Sequence, residues 1–473
     1  MNWRGEDTAS RGRCAAVLAA ALVASTWWLV PAGVRAQERP GEMYRLSLEE
    51  ALARAQDASE PVAVAAAGVR RARGGELRAL SDWLPNLSAT ASYDRALASE
   101  FEGVFGGGAT SPDTTSAPGD SAGGGLDFGE LPFGRETTWR FGLSLTQNLY
   151  AGGRIRAQNR IADASSRTAV LVLSSERAQA LLTAAEAYYD AALAARLAEI
   201  ADSTLALTET TVAHATLAAQ VGAQPEFELL RARVARDNQL STVVQRRSDR
   251  ELAFLRLKQL LDIPADAALE LTTDLDGELT PVERVTAELV DLPTDTAAPT
   301  RVPVRQAAEV VRMRAASLDI AEAQRLPSIS AYSQYGRVAY PDGTFPRWGE
   351  FRTNWSVGVQ LQLPVFLGGR ILGDEAVAEA DLAEAEALLR RTQELTQLDT
   401  RAAYERLDAA RAAWQASSGT AQQAARAYEI AELRYREGIS AQIELTDARV
   451  QLAQAGANRA RAARDVQVAR IRV

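Results

Sequence analysis

The stretch WRFGLSLTQNLYAGGRI, Trp139 to Ile155, returns 216 residues later as WSVGVQLQLPVFLGGRI, Trp355 to Ile371. Apolar side chains alternate in both copies, Gln147 being the one interruption: Trp139, Phe141, Leu143, Leu145 and Leu149 in one, Trp355, Val357, Val359, Leu361, Leu363 and Val365 in the other. A period of two predicts a strand with one greasy face. Each copy then reaches Gly152-Gly153 or Gly368-Gly369, where the alternation stops and a helical pattern begins. What covers the greasy face decides the fold.

The offset of 216 persists downstream: Tyr188 answers Tyr404, Gly222 answers Gly438, Glu228 and Leu229 answer Glu444 and Leu445, and ARV at Ala232 answers ARV at Ala448. This is an internal duplication. Upstream, LPNLSATASYDR from Leu84 matches LPSISAYSQYGR from Leu326, now 242 residues apart, so the first copy carries 26 extra residues. They fall in the Gly-, Ser-, Thr- and Pro-rich run from Phe101 to Gly134, which reads as a surface-exposed loop. Residues 37–261 form repeat 1 and 302–473 repeat 2, with 262–301 as the linker between them.

Each repeat reads helix, strand, loop, strand, long helix, turn, return helix. The first helices stop at Leu84-Pro85 and Leu326-Pro327, because proline cannot continue them. The long helices, about Arg156 to Val221 and Leu372 to Glu437, run 66 residues each, roughly 100 Å. That is coiled-coil material, and the many alanines permit close helix approach. The return helices, about Pro225 to Leu261 and Ala441 to Val473, are shorter; a pre-strand helix stacked end to end with a return helix would cover one long rod.

The first 36 residues have the pattern of an export signal: Arg4, Arg11 and Arg13, an apolar run, then VRA before Gln37. A retained anchor is the weaker alternative, because the run is short and Pro31 follows it. Loss of the leader's four arginines and two acids takes the formal net charge from −9 to −11, which argues against a nucleic-acid partner. The single cysteine, Cys14, leaves with the leader, so neither disulfides nor thiolate metal sites are expected. His214 is the only histidine and Lys258 the only lysine, which excludes a Walker loop and an ordinary zinc site. No catalytic constellation and no cofactor site is legible.

No later run reaches the roughly 18 to 20 apolar residues of a spanning helix. Trp139 to Leu149, however, is 11 residues, the length of a tilted membrane strand. A soluble half-buried sheet would alternate in the same way. Rods directed away from the strand ends cannot cover such a sheet, which leaves lipid. Lipid tolerates no open edge and closed barrels start at about eight strands, so four strands must be completed by other chains.

LPNLSATASY, LPSISAYSQY, LSLTQNLYAGGR, LQLPVFLGGR and YREGISAQIELTDARVQL, in this order and at these offsets, make the chain similar to the TolC family of outer-membrane efflux proteins. The resemblance implies an α+β membrane protein: a homotrimer whose 12-stranded β-barrel, four strands per chain, continues into a long α-helical coiled-coil tunnel in the periplasm. It implies outer-membrane lipid around the barrel, a periplasmic adaptor, and an inner-membrane pump or ABC-type secretion ATPase as partners. The hairpin-turn residues Gly222, Glu228, Leu229, Gly438, Glu444 and Leu445 then form the adaptor-docking tip; plain helix caps would need the same glycines. Glu444 and Asp447, three apart on one helix face, match the acids that line the family's pore entrance, with a solvated face as the rival. Tyr435 matches the gate tyrosine, whereas Ser440 stands where the gate arginine would be. The main alternative class is a structural or adaptor coiled coil without a pore.

Overall fold

A computed structural model describes residues 43–97, 137–222, 225–275, 301–341 and 343–473; the export signal, Cys14, the run from Phe101 to Gly134 and residues 276–300 lie outside them. In chain order the elements are β1 (Tyr44–Leu46), α1 (Leu48–Ala58), α2 (Glu60–Ser81), β2 (Asn86–Arg95), β3 (Thr137–Ala151), α3 (Arg154–Gln220), α4 (Glu226–Leu260) and β4 (Leu269–Leu271). Repeat 2 supplies α5 (Val302–Ala323), β5 (Ser328–Ala339), a 3-10 turn (Trp348–Glu350), β6 (Arg352–Gln362), α6 (Arg370–Arg436) and α7 (Gln442–Arg472).

The two long helices have 67 residues each, and at 1.5 Å per residue each spans roughly 100 Å. α3 packs on α2 and α4, and also on α5 and α7; α6 packs on α5 and α7. The shorter helices are therefore stacked in pairs beside the rods, α2 with α4 and α5 with α7. Ion pairs lace α5 to both rods. Arg160 of α3 pairs with Asp319, Arg314 with Asp381 of α6 at 3.0 Å, and Arg325 with Glu375 of α6. Glu309, only 9% exposed, lies between Arg167 of α3 at 3.0 Å and Arg312 at 2.5 Å. A buried carboxylate is tolerable because both oxygens are matched.

The second β3-like strand is shorter than its alternation predicts. β6 ends at Gln362, and Leu363 and Val365 lie beyond the ladder. Pro364 is the cause, since it has no N–H to donate. β3 instead runs to Ala151, with its register shifted at Leu149 against β5.

The densest core is not at either end but halfway along the rods. β1 pairs in parallel with β4, and α1 is fixed against them by a capping box in which Ser47 N donates to Glu50 Oε2 at 2.9 Å and Ser47 Oγ accepts from Glu50 N at 3.2 Å. Leu46, Leu48, Leu52, Leu181, Tyr188, Leu257, Leu261 and Ile263 are buried together there. The start of the expected linker, residues 262–275, is thus part of this core through Ile263 and β4. Tyr188, 0% exposed, donates from its hydroxyl to Leu46 O at 3.0 Å and accepts from Thr273 N at 3.1 Å. Its repeat counterpart Tyr404 is 44% exposed.

Candidate functional site

The four longer strands form one antiparallel sheet in the order β2-β3-β5-β6, leaving β2 and β6 as edges. The register stacks Leu87 on Leu145, Ala89 on Leu143, Ala91 on Phe141 and Tyr93 on Trp139; across β3 and β5, Leu143 meets Tyr335, which meets Trp355 on β6. One face is therefore predominantly apolar, with Ser333 and Arg337 among its polar members. Leu87, Phe141, Leu143, Trp355, Val357, Val359 and Leu361 are all exposed on it. The other face is polar: Ser88 and Ser144 share a hydrogen bond of 2.6 Å, and Asp94 binds Arg140 at 2.5 Å. Here Tyr332 lies across Gly358, where a Cβ would come within 2.5 Å of the ring, so this glycine provides the seat of an aromatic ring. A sheet with one lipid-type face and one wet face is a barrel wall.

Each strand-to-helix turn uses two left-handed glycines: Gly152 (φ 60°) and Gly153 (φ 91°), Gly368 (φ 61°) and Gly369 (φ 83°). The second glycine of each pair is the N-cap of a rod. That conformation disfavours a Cβ, which accounts for the repeated Gly-Gly. At Gly152 space is also short, since a Cβ would meet Leu326 Cβ at 2.8 Å and Ala323 O at 2.9 Å.

At the opposite end of the rods Gly222 (φ 73°) and Gly438 (φ 70°) terminate α3 and α6. Ile439 N donates to Arg434 O at 2.8 Å, closing the six-to-one bond of a Schellman turn. The two hairpin ends touch. With its amide nitrogen turned toward the acceptors, the buried Gln442 donates to Glu228 Oε2 at 2.6 Å and to Glu228 O at 3.0 Å. Leu445 is buried with Tyr428 and Tyr435, and Leu229 is half-buried.

The residues expected at the pore entrance lie at the α6–α7 hairpin. Tyr435 is 7% exposed and packs on Leu445 and Tyr428 within the chain. Glu444 and Asp447 are both exposed, but Glu444 is bridged to Arg434 at 3.6 Å. The Ser440 hydroxyl is buried without a hydrogen-bond partner, and its N–H joins the turn by donating to Arg434 O at 3.3 Å. Sequence reasoning missed an apolar surface around the turns: Leu217, Val221, Phe227, Leu230, Ile439 and Ile443 are all exposed, Phe227 by 67% and Ile439 by 69%. Its signal was present as breaks in the polar pattern next to each glycine.

Burial pushes the Tyr428 hydroxyl pKa up, helped by Glu432 and opposed by Arg449. Burial likewise pulls the Arg449 guanidinium pKa down, opposed by Tyr428. Among the described residues no group of His, Cys, Asp and Glu is placed to hold a metal, and no helix is long and apolar enough to cross a membrane.

The family model for outer membrane efflux proteins matches residues 48–262 and 296–473. No curated protein sequence matches the chain. Among solved structures, the Campylobacter jejuni CmeC outer membrane channel is similar with a TM-score of 0.73 at 17% identity, covering 90% of this chain and 84% of that one. The Vibrio cholerae outer membrane protein VceC gives 0.70 at 18% identity, covering 90% and 94%. The open state of the Neisseria gonorrhoeae MtrE outer membrane channel gives 0.68 at 18% identity, covering 89% and 88%. Two glycine-hinged repeats, a sheet greasy on one face and wet on the other, and rods that end in paired hairpins thus converge with the family match: the chain belongs to the outer membrane efflux proteins, and is one third of a trimeric barrel and tunnel.

Proposed function

We propose that the protein is the exit duct of a tripartite efflux or type I secretion assembly, whose tip receives the helical hairpins of a periplasmic adaptor. An inner-membrane pump or ABC transporter completes the path. The observation that carries this reading is the exposed apolar surface of Phe227, Val221, Leu230, Ile439 and Ile443 around the two joined hairpin ends. In water such a patch is a docking surface for another apolar face. Gly222, Glu228, Leu229, Gly438, Glu444 and Leu445 shape it rather than provide its greasy contacts. The four membrane strands and the family membership disfavour the poreless coiled-coil alternative.

Phe227→Asp with Ile439→Asp should abolish adaptor crosslinking at the tip and restore sensitivity to toxic compounds, or stop release of a secreted protein, while trimers still form. Whichever export fails identifies the pathway. Full adaptor capture by this variant would overturn the docking surface.

The same tip is the pore entrance in this proposal. Because Arg434 offsets Glu444, the uncompensated charge at this helix face is Asp447, three per trimer. Carboxylates in a narrow wet opening concentrate cations. Asp447→Ala should lower the cation-to-anion permeability ratio of single channels severalfold. An unchanged ratio would assign the pair to an ordinary solvated face.

A further inference from the structure

At the end of the sheet away from the rods, the chain between β5 and β6 folds back onto the apolar face. Trp139 Nε1 donates to Thr344 O at 3.0 Å, and the Trp139 ring lies 5.8 Å from Phe345 and 4.8 Å from Tyr93. Phe141 contacts Phe351 at 5.5 Å, and Phe351 contacts Trp348 at 5.8 Å. Phe345 and Trp348 are nevertheless 77% and 78% exposed. Aromatic rings that are anchored yet exposed suit the boundary between hydrocarbon and headgroups.

Two arginines share this cluster. Arg337 sits opposite Phe141 in the register, hence on the lipid face, and its guanidinium lies over the Trp348 ring at 4.9 Å. Its Nε is buried and reaches no acceptor among the described residues. Arg347 is exposed one residue before Trp348. The Glu350 carboxylate is directed to the Arg347 backbone, accepting from its N at 3.1 Å. A cation at the top of an apolar wall, held by a ring and with no acidic partner among the described residues, is matched by an acceptor arriving from the membrane.

We propose that Arg337 and Arg347, framed by Phe345, Trp348 and Phe351, form a binding site for the phosphate of an anionic lipid headgroup in the outer leaflet. The rings take the glycerol and upper acyl region, and the guanidinium groups take the phosphate. Neutralising each arginine should cost about fivefold in preference for anionic lipid.

The test uses the purified trimer in detergent, with retained phosphatidylglycerol and phosphatidylcholine counted by native mass spectrometry. Wild type should retain phosphatidylglycerol preferentially. Arg337→Gln with Arg347→Gln should bring the ratio to about one, on the same estimate of fivefold per arginine, and Trp348→Ala should lower retention of both lipids. If the double variant does not assemble, Arg347→Gln alone, in an exposed turn, should still lower the ratio about fivefold. Equal retention by wild type, or a ratio unmoved by the arginine variants, would overturn the proposal. Displacement of the lipid by millimolar inorganic phosphate would do so too, by assigning the site to free phosphate.

Discussion

Tyr188 and Tyr404 occupy the same place in the two repeats but have opposite fates, one sealed in the core and the other at the surface. The Tyr188 hydroxyl joins β1 to the chain just after β4 by serving Leu46 O and Thr273 N at once. Tyr188→Phe leaves both backbone groups without that partner and should destabilise the chain by about 1 to 3 kcal/mol. Tyr404→Phe should stay within about 0.5 kcal/mol. Denaturant unfolding of the two variants measures the difference. Next to it, burial, reinforced by Tyr188 and opposed by Arg470, pushes the Tyr189 pKa up to about 12. The unfolded chain releases this proton near pH 10, so the stabilising contribution is intact below pH 10 and declines as the pH rises toward 12. Tyr189→Phe should flatten the fall in stability over that window, and an unchanged alkaline profile would refute the assignment. None of this was visible in the sequence, where the tyrosines served only to align the repeats: β1 and β4 are three residues each, too short for a period, and they pair across more than two hundred residues.

Among the elements, the rods and strands were legible because their periods extend over many residues. The boundaries of α3 and α6 lie within two residues of those read from the glycine pairs and turn signals. The end of β6 was misplaced because side-chain alternation continues through Pro364 although hydrogen bonding does not. The Gly-Gly turns look identical in sequence and differ in surroundings. Gly152 is hemmed in by Leu326 and Ala323, whereas Gly368 faces open space at nearly the same φ. Gly368→Ala should therefore cost about 1 kcal/mol, the penalty of a left-handed alanine. Gly152→Ala should cost about 1 to 3 kcal/mol more through overpacking. Melting of the assembled protein checks the order, and equal losses would mean the turn around Gly152 relaxes freely.

For the whole molecule, duplication supplies the pattern by which copies fit. α3 has neighbours on two sides, α2 with α4 and α5 with α7, but α6 has neighbours within the chain on one side only. Exposed Leu388, Leu395 and Leu398 on α6, and Val234 and Val244 on α4, are the apolar remainder on these outer rods. Leu395→Asp with Leu398→Asp should cut trimer recovery sharply while the isolated chain keeps its helix content, as mass photometry and circular dichroism would show. The residues proposed for the pore entrance were the least legible part. Register and family pattern single out the positions, but that Tyr435 packs on Leu445 and that Arg434 reaches Glu444 depends on side-chain packing that no spacing encodes.

The open edges at β2 and β6 also make supply a control variable. A single chain has no membrane-competent state, since its two edges would leave backbone groups unpaired in hydrocarbon. Folding of the sheet and association are then one event, and stability depends on protomer concentration. Where chains are scarce, the yield of ducts follows the cube of their concentration, so halving synthesis would remove up to about seven-eighths of the open routes through the outer membrane. Expression level would then set a steep threshold for export.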